Sequence, residues 1–253
     1  MTSEFQGQSD SKQPRTRQGR ILITGGGQRV GLHCVQQMLA QGERVAITYR
    51  TERSIIGQLR EQGVICLQAD LADLQVVQQL PARIREEVGP LRALVHNASS
   101  WLADRESDSD YPKVMQEMMQ LHMMTPYLLN LHCHELLLKG RHPWADIVHI
   151  TDYVVEKGSD NHIAYAASKA GLANMTRSFA KRFSPEIKVN TIAPSLLMFN
   201  EGDPEEYRTR TLKKSVMGIE PGPEVIFQAL SFVLDNAYMT GREIKLDGGR
   251  HIR

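Results

Sequence analysis

The sequence predicts an α/β domain built on a single doubly wound parallel sheet with helices on both faces. Short apolar runs alternate with amphipathic stretches along most of the chain. The runs are continuously apolar rather than alternating, which is typical of strands buried on both sides of a parallel sheet. A length of 253 residues suits one domain of this class, and no internal repeat or second boundary interrupts the pattern.

The elements follow one another in strand–helix order. Predicted strands cover 20–24, 44–49, 64–68, 91–96, 146–151, 188–193 and 242–246. Predicted helices cover 28–41, 52–62, 72–88, 111–138, 161–183 and 223–235. Gly42, Gly63 and Gly89 follow the first three helices, where glycine readily closes the last turn. Pro194 opens an irregular segment, and we expect residues 195–220 to form a substrate loop within a domain spanning 20–253.

Composition excludes several classes of protein. The formal net charge is +1, so nothing electrostatic favours nucleic acid or an anionic membrane as a partner. No apolar run approaches the roughly 20 residues of a membrane-spanning helix. Residues 1–19 are polar and lack the apolar part of a signal peptide, so we expect a disordered tail on a cytoplasmic protein. His132 and His134 are metal-ligand types, but they point in different directions on a helix, and no metal site is predicted.

A glycine-rich turn joins the first strand to the first helix. Gly25, Gly27 and Gly31 give a Gly-x-Gly-x-x-x-Gly spacing, and Arg29 lies inside it. Glycines at such a turn let backbone N–H groups approach a pyrophosphate at the helix N-terminus. The alternative is a glycine-rich turn without a ligand, but the strand–turn–helix context favours a Rossmann-type dinucleotide site.

The residues after the second and third strands indicate which dinucleotide binds. An NAD site needs an acidic residue after the second strand, but Arg50 and Thr51 stand there. A guanidinium fork suits a phosphate, so NADPH is favoured over NADH, the alternative being a solvated surface arginine. After the third strand, Asp70 either accepts a hydrogen bond from adenine or caps the following helix.

Polar residues also follow the fourth strand, at the end of a parallel sheet where ligands bind. Asn97 and Ser99 are therefore placed to contact cofactor and substrate. Trp101 lies in a polar loop, where an exposed indole usually stacks on something. The alternative for Trp101 is packing beneath its own loop.

Tyr165 and Lys169 are spaced so that both side chains share one face of a helix. A positive charge beside a phenol favours the phenolate, so we expect Lys169 to lower the pKa of Tyr165 and let it exchange a proton near neutral pH. Asp152, just after the fifth strand, adds a second proton donor. The Tyr-x-x-x-Lys pattern is weak alone and gains weight only with the motifs upstream.

Several of these motifs, in this order, resemble one family. They are Thr24–Gly31, Tyr49–Thr51, His96–Trp101, Thr151–Val155, His162–Lys169, Asn190–Ser195 and Leu246–His251. Over about residues 19–253 the chain resembles the short-chain dehydrogenases/reductases, and within them the pteridine reductases, notably the bacterial enzymes acting on dihydromonapterin. Many members hold a proton-relay water with an asparagine, whereas the matching position here is His122.

The resemblance implies roles for individual residues. Asp152, Tyr165 and Lys169 match the catalytic group, and Asp152 stands where most of the superfamily carry serine for carbonyl substrates. The implied substrate contacts are Arg29, Ser99, Trp101, Asp152 and Tyr165, with Trp101 stacking the pterin against the nicotinamide. The cofactor set is Gly25, Gly27, Arg29, Val30, Gly31, Arg50, Thr51, Asp70, Leu71, Asn97, Ser99, Tyr165, Lys169, Pro194 and Ser195.

The expected activity is NADPH-dependent reduction of 7,8-dihydromonapterin to tetrahydromonapterin, with slower reduction of dihydrofolate, in tetrahydropterin and folate metabolism. The enzyme alternative is a carbonyl reductase of the same superfamily. A third reading is a non-catalytic NADP-binding regulator, which has no need of Tyr165 and Lys169. The resemblance also implies a homotetramer, in which the C-terminal residues 250–253 are expected to reach a neighbouring active site.

Overall fold

The computed structural model describes residues 19–104, 110–141 and 143–253, which surround a seven-stranded sheet. The strands are β1 Arg20–Ile23, β2 Val45–Tyr49, β3 Ile65–Gln68, β4 Leu91–His96, β5 Ala145–Ile150, β6 Ile187–Pro194 and β7 Glu243–Leu246. Their order is β3-β2-β1-β4-β5-β6-β7, and each neighbouring pair is parallel. The order reverses between β1 and β4, and ligands bind at the carboxyl ends of strands beside such a reversal.

The helices are α1 Arg29–Ala40, α2 Ser54–Glu61, α3 Leu74–Arg83, α4 Tyr111–Met119, α5 Thr125–His132, α6 His134–Gly140, α7 Val154–Lys157, α8 Ile163–Phe183, α9 Glu205–Leu212 and α10 Glu224–Asp235. They cover both faces of the sheet. Leu22 of β1 packs with residues of α3, α5, α6 and α8. Ile21 and Ile23 pack on the opposite face with α1, α2 and α10, because successive side chains of a strand alternate. The predicted fold class is confirmed.

The prediction of one continuous helix over 111–138 is wrong. It is divided into α4, α5 and α6, with a π-helical turn over Gln120–Met124 between the first two. Pro126 has no N–H to donate to the carbonyl of His122, so a regular α-helical ladder cannot pass through this point. The π-turn is the element that buries His122.

The segment predicted as irregular over 195–220 contains α9. This helix is almost entirely exposed, with Thr211 its one buried residue, so it lacks the apolar periodicity that marks a helix in a sequence. The short helix α7 precedes α8 and was likewise not predicted. Smaller differences concern the ends of elements, and the helix predicted over 72–88 finishes in a second π-turn, Ile84–Val88.

The predicted disordered tail falls mostly on residues 1–18, which lie outside the described residues. Gly19 belongs to the packed domain instead. A Cβ atom at Gly19 would lie 2.5 Å from the backbone nitrogen of Arg92, so the chain enters the sheet here in close contact with β4.

Candidate active site

The turn between β1 and α1 needs its glycines for two physical reasons. Gly25 has a φ of +67°, a conformation that side chains disfavour. A Cβ atom on Gly31 would lie 2.4 Å from the carbonyl oxygen of Gly25, and one on Gly26 would lie 2.4 Å from Cγ2 of Ile47. Gly26, which the motif did not single out, is therefore as constrained as its neighbours.

Asn97 holds this turn against the end of β4. Its Nδ2 donates to the carbonyl oxygens of Thr24 (2.9 Å) and Gly25 (3.3 Å). The Thr24 hydroxyl oxygen accepts from the backbone N–H groups of Asn97 and Ala98, both at 3.0 Å. The Asn97 amide thus fixes the shape of the turn, and any contact of Asn97 with cofactor comes in addition to this role.

A cleft of about 300 Å³ runs along the carboxyl ends of β1 to β4. It is lined by the predicted cofactor residues Gly25, Gly27, Arg29, Val30, Gly31, Arg50, Thr51, Asp70, Leu71, Asn97 and Ser99. It is also lined by Gln28, Arg53 and Ser100, which were not predicted. Arg53 stands three residues after Arg50, and this second arginine close to the predicted phosphate site is a signal that the sequence already contains.

The cleft fits an anionic dinucleotide. Helix α1 starts at its edge without a side-chain cap, so its first N–H groups point at the space that a pyrophosphate needs. Arg29, Arg50 and Arg53 add positive charge along the same cleft. Arg29 has a φ of +48° and donates from Nη1 to Oδ1 of Asn200 at 2.6 Å, which joins the turn to segment 195–220.

Asp70 does not cap the following helix. Its Oδ1 accepts from the N–H of Ala72 at 3.0 Å, within the loop. The cap of α3 is Asp73, which accepts from the N–H groups of Gln75 and Val76. The capping alternative for Asp70 is therefore wrong, and its carboxylate stays on the cleft wall, where the adenine-binding prediction stands untested.

The three predicted catalytic residues lie close together, and none of them lines this cleft. The Tyr165 hydroxyl donates to Oδ2 of Asp152 at 2.9 Å, and Oδ1 of Asp152 accepts from the N–H of Val154 at 2.7 Å. Lys169, one turn further along α8, donates from Nζ to the carbonyl oxygen of Ile150 at 2.9 Å. Strand β5 and helix α8 thus fix the group between them.

Burial governs the ionisation of this group. Desolvation raises the pKa of Asp152, while its hydrogen bonds from Val154 and Tyr165 and the charge of Lys169 act in the opposite direction. Desolvation lowers the pKa of Lys169 to about 8, opposed by the Asp152 carboxylate. The carboxyl is therefore more readily protonated than an ordinary aspartate.

The predicted lowering of the Tyr165 pKa is wrong. The phenol is buried, and desolvation together with the Asp152 carboxylate raises its pKa well above the ordinary value. A hydrogen bond with Ser99 lowers it, but not enough to reverse the direction. Tyr165 thus keeps its proton at neutral pH and acts here as a hydrogen-bond donor.

Trp101 packs against Tyr165 rather than beneath its own loop. Its ring centroid is 4.4 Å from that of Tyr165, at an angle of 69°, and 3.9 Å from the ring of His162. More than half of the side chain (56%) remains exposed. An exposed indole packed on Tyr165 offers a flat surface to a planar ligand.

Pro194 and Ser195, at the end of β6, lie beside the Asp152 backbone. The Pro194 carbonyl accepts from the N–H of Tyr153 at 2.8 Å, which fixes the backbone beside Asp152. Ser195 Oγ accepts from Nη1 of Arg250 at 2.8 Å. Neither residue lines the dinucleotide cleft.

The C-terminal residues pack on segment 195–220 of the same chain, which is predicted to form the substrate loop. Arg253 donates from Nη1 to the carbonyl oxygen of Ser215 at 3.0 Å, and Arg250 contacts Ser195 as described. A second cavity of about 220 Å³ lies between this end and the substrate segment, with Lys214 and Met217 in its wall. Contact with a neighbouring subunit remains a prediction.

No group of three or more potential metal ligands occurs among the residues that the structure describes. Within the same residues, no helix combines the length and apolar character needed to cross a membrane.

Fold and site together define a class of protein. The chain belongs to the short-chain dehydrogenase family, whose model, described as "short chain dehydrogenase", matches residues 20–201. This confirms the superfamily predicted from the motifs.

Within this family, the chain is similar to particular enzymes. The dihydromonapterin reductase of Klebsiella pneumoniae subsp. pneumoniae is 49% identical, over 96% of this chain and 99% of that protein. The dihydromonapterin reductase of Escherichia coli (strain SMS-3-5 / SECEC) is also 49% identical, over 92% and 97%. The crystal structure of FolM alternative dihydrofolate reductase 1 from Brucella canis, complexed with NADP, superposes with a TM-score of 0.82 at 27% identity, covering 96% of this chain and 97% of that one. The predicted likeness to enzymes acting on dihydromonapterin is confirmed.

Proposed function

We propose that this chain reduces 7,8-dihydromonapterin to tetrahydromonapterin with NADPH, and dihydrofolate more slowly. Relatives named dihydromonapterin reductase at 49% identity over nearly the whole chain support the substrate. The alternative dihydrofolate reductases of Brucella, solved with NADP, support NADP as the cofactor and dihydrofolate as a second substrate.

The observation that carries the proposal is the Asp152 carboxyl hydrogen-bonded to Tyr165 beneath Trp101. A pterin C=N bond accepts a hydride poorly until its nitrogen is protonated, so the site must supply a proton at N5. A carboxyl group with a raised pKa is protonated more readily than an ordinary aspartate and can supply that proton. A serine in this position could only donate a hydrogen bond to a carbonyl oxygen.

Tyr165, Lys169 and Trp101 have separate roles in this proton transfer. Tyr165 holds its own proton and orients the Asp152 carboxyl. Lys169 stabilises the Asp152 carboxylate left after proton transfer, since its charge lowers the pKa of that group. Trp101 covers the planar substrate and excludes water from the reacting face.

The dinucleotide residues select and orient the cofactor, which when bound supplies the hydride to C6 of the pterin. Arg50 and Thr51, with Arg53 beside them, bind the ribose phosphate that distinguishes NADPH from NADH. Arg29 serves both cofactor and substrate, since it lies on the cleft wall and already contacts the substrate segment.

The direct test is a comparison of Asp152→Ser with wild type and with Asp160→Ser, an exposed matched control in the following loop. We expect turnover of dihydromonapterin to fall about 100-fold or more in Asp152→Ser, with NADPH binding retained. Asp160→Ser should behave as wild type. Unchanged turnover in Asp152→Ser would remove Asp152 from the mechanism.

The same assay separates the alternatives. A carbonyl reductase would oxidise NADPH faster with ketones than with dihydropterins. A redox-sensing regulator would bind NADPH but would oxidise it with neither ketones nor dihydropterins. Tyr165→Phe should be severely impaired with dihydropterins, and normal rates there would leave proton delivery to Asp152 and water alone.

The enzyme is further proposed to be a cytoplasmic homotetramer. Exposed apolar side chains on α4 and α5, including Tyr111, Met115 and Tyr127, offer surface for subunit contacts. Analytical ultracentrifugation tests this: a monomer at micromolar concentration would contradict it.

A further inference from the structure

Three polar side chains form a network at the end of β2, and the proposed mechanism gives this network no role. The Tyr49 hydroxyl donates to Oε2 of Glu52 at 2.6 Å, and Nη1 of Arg60 donates to Oε1 of the same carboxylate at 3.0 Å. Nη2 of Arg60 donates to the Tyr49 oxygen at 2.7 Å and lies 3.4 Å from Oε2 of Glu52. Each of the three side chains therefore contacts the other two.

The network holds a charged carboxylate. Desolvation raises the pKa of Tyr49, and its hydrogen bond to Glu52 acts in the same direction. The hydrogen bonds from Tyr49 and from Arg60 lower the pKa of Glu52. Tyr49 thus keeps its proton and donates it to Glu52, which stays an anion at neutral pH.

Glu52 is turned out of the dinucleotide cleft. Within residues 48–53, every residue except Glu52 lines that cleft, including its sequence neighbours Thr51 and Arg53. Arg60 reaches back to Glu52 from the last turn of α2 and does not line the cleft either. The anion closest in sequence to the proposed phosphate site is therefore held on the outer side of the turn.

The two arginines of the cleft wall are left free by this arrangement. Neither Arg50 nor Arg53 has a side-chain hydrogen bond or an ion pair within the part of the chain that the structure describes. Glu52 lies two positions after Arg50 and directly before Arg53. A carboxylate so close in the chain can pair with either guanidinium once nothing else holds it.

We infer that Arg60 and Tyr49 hold the Glu52 carboxylate out of the ribose-phosphate site, and that Arg60 is thereby a specificity-determining residue that does not touch the cofactor. The inference deepens the proposed use of NADPH and rests on it. Held outside the cleft, Glu52 leaves the cleft arginines to the phosphate. Once released, it competes for them, repels the phosphate and offers an acceptor to the ribose hydroxyls of NADH.

Stability alone does not account for the network. The side chains of Arg60 and Glu52 are 47% and 52% exposed, and exposed ion pairs contribute little to the free energy of unfolding. The consequence of this pair lies in where it places the carboxylate, so the informative measurement is the preference between two cofactors.

The binding test uses isothermal titration calorimetry of NADPH and NADH with wild type, Arg60→Ala and Arg182→Ala, a matched control at an exposed arginine of α8. Arg60→Ala should weaken NADPH binding about tenfold and leave NADH binding no weaker, because the released carboxylate opposes only the phosphate. Arg182→Ala should bind both cofactors as wild type does. Partial unfolding lowers the number of sites but not the ratio of the two dissociation constants, and an unchanged ratio in Arg60→Ala would overturn the inference.

A double variant separates the position of Glu52 from the charge of Arg60 itself. In Arg60→Ala with Glu52→Gln no carboxylate is left to release, so NADPH affinity should lie within about twofold of that of Glu52→Gln alone. If the Arg60 charge attracted the phosphate directly, the double variant would bind NADPH about tenfold more weakly than Glu52→Gln, and that result would overturn the inference.

Two adenosine phosphates locate the effect within the cofactor. Adenosine 2′,5′-bisphosphate carries the phosphate that distinguishes NADPH, and adenosine 5′-phosphate lacks it. Arg60→Ala should weaken binding of the bisphosphate only. Equal losses for both would indicate general damage to the cleft and would overturn the inference.

None of these measurements needs a pterin, so the inference and the proposed function fail separately. A wild-type enzyme that prefers NADPH but reduces no dihydropterin would refute the proposed substrate and leave the role of Arg60 standing. A preference for NADPH that survives Arg60→Ala would refute the inference alone.

Discussion

Changing His96 to glutamine should reduce the amount by which the free energy of unfolding falls at acid pH. His96 is fully enclosed in a chain of polar side chains beneath the site. Its Nε2 is 2.8 Å from Oδ1 of Asn130, whose Nδ2 is 3.1 Å from Nε2 of His149, whose Nδ1 is 2.8 Å from Oγ1 of Thr176. The Asn130 amide donates to His149, so the His149 ring must be neutral, while the His96 Nε2–H donates to the Asn130 oxygen and burial favours the neutral form of His96. Glutamine can keep the donor to Asn130 but cannot titrate.

The magnitude follows from the pKa of His96. Burial lowers it from 6.5 to about 4, only partly offset by the hydrogen bond with Asn130. A lowered folded pKa means that the unfolded chain binds more protons between these values, so this stability is present above pH 6.5 and lost as pH falls toward 4. At roughly 1.4 kcal/mol per pKa unit, the full shift lowers the free energy of unfolding by about 3 kcal/mol. Between pH 7 and pH 5 the expected loss is about 2 kcal/mol.

The assay is urea unfolding of both proteins at pH 5, 6, 7 and 8, at one protein concentration. The quantity that matters is the difference in unfolding free energy between wild type and His96→Gln, which should shrink by about 2 kcal/mol from pH 7 to pH 5. Groups that do not interact with His96 cancel in that difference, including Asp146, whose pKa burial raises to about 7 and whose contribution has the opposite sign. A difference that stays constant across the pH range would refute the reasoning.

Three further predictions concern the dinucleotide cleft and its supports. Arg50→Ala should raise KM for NADPH about tenfold, equivalent to about 1.4 kcal/mol, with little change for NADH, and equal effects on both would contradict phosphate recognition at this position. Gly31→Ala should weaken NADPH binding and lower unfolding free energy by about 2 kcal/mol or more, since its new Cβ meets the Gly25 carbonyl at 2.4 Å; calorimetry and urea unfolding test both. Asp73→Ala should cost about 1 kcal/mol through loss of the α3 cap without changing kcat, and an intact urea midpoint would show the cap to be dispensable.

Much of the fold could be predicted because its signals are local. Continuous apolar strands and terminal glycines such as Gly89 mark elements directly in the sequence. Helix α9 gave a weaker signal, since its residues are exposed and only Pro204 and the acidic Glu205 and Glu206 mark its start. The π-turn before Pro126 depends on a missing backbone donor within an otherwise helical pattern.

The candidate site was less predictable where tertiary burial decides its properties. The spacing of Tyr165 and Lys169 predicted that their side chains lie close together. The direction of the Tyr165 pKa shift depends instead on desolvation and on Asp152, thirteen positions away in sequence. The partners of His122 come from two other segments, at Ser99 and Ser168, and no local pattern joins them.

The most direct test of the account is steady-state NADPH oxidation by the wild-type enzyme with 7,8-dihydromonapterin, dihydrobiopterin, dihydrofolate and a panel of ketones. The account predicts the highest kcat/KM with dihydromonapterin, slower turnover of dihydrofolate and negligible rates with ketones. Ketone reduction faster than dihydropterin reduction would contradict the assignment of Asp152 as the proton donor to a pterin C=N bond.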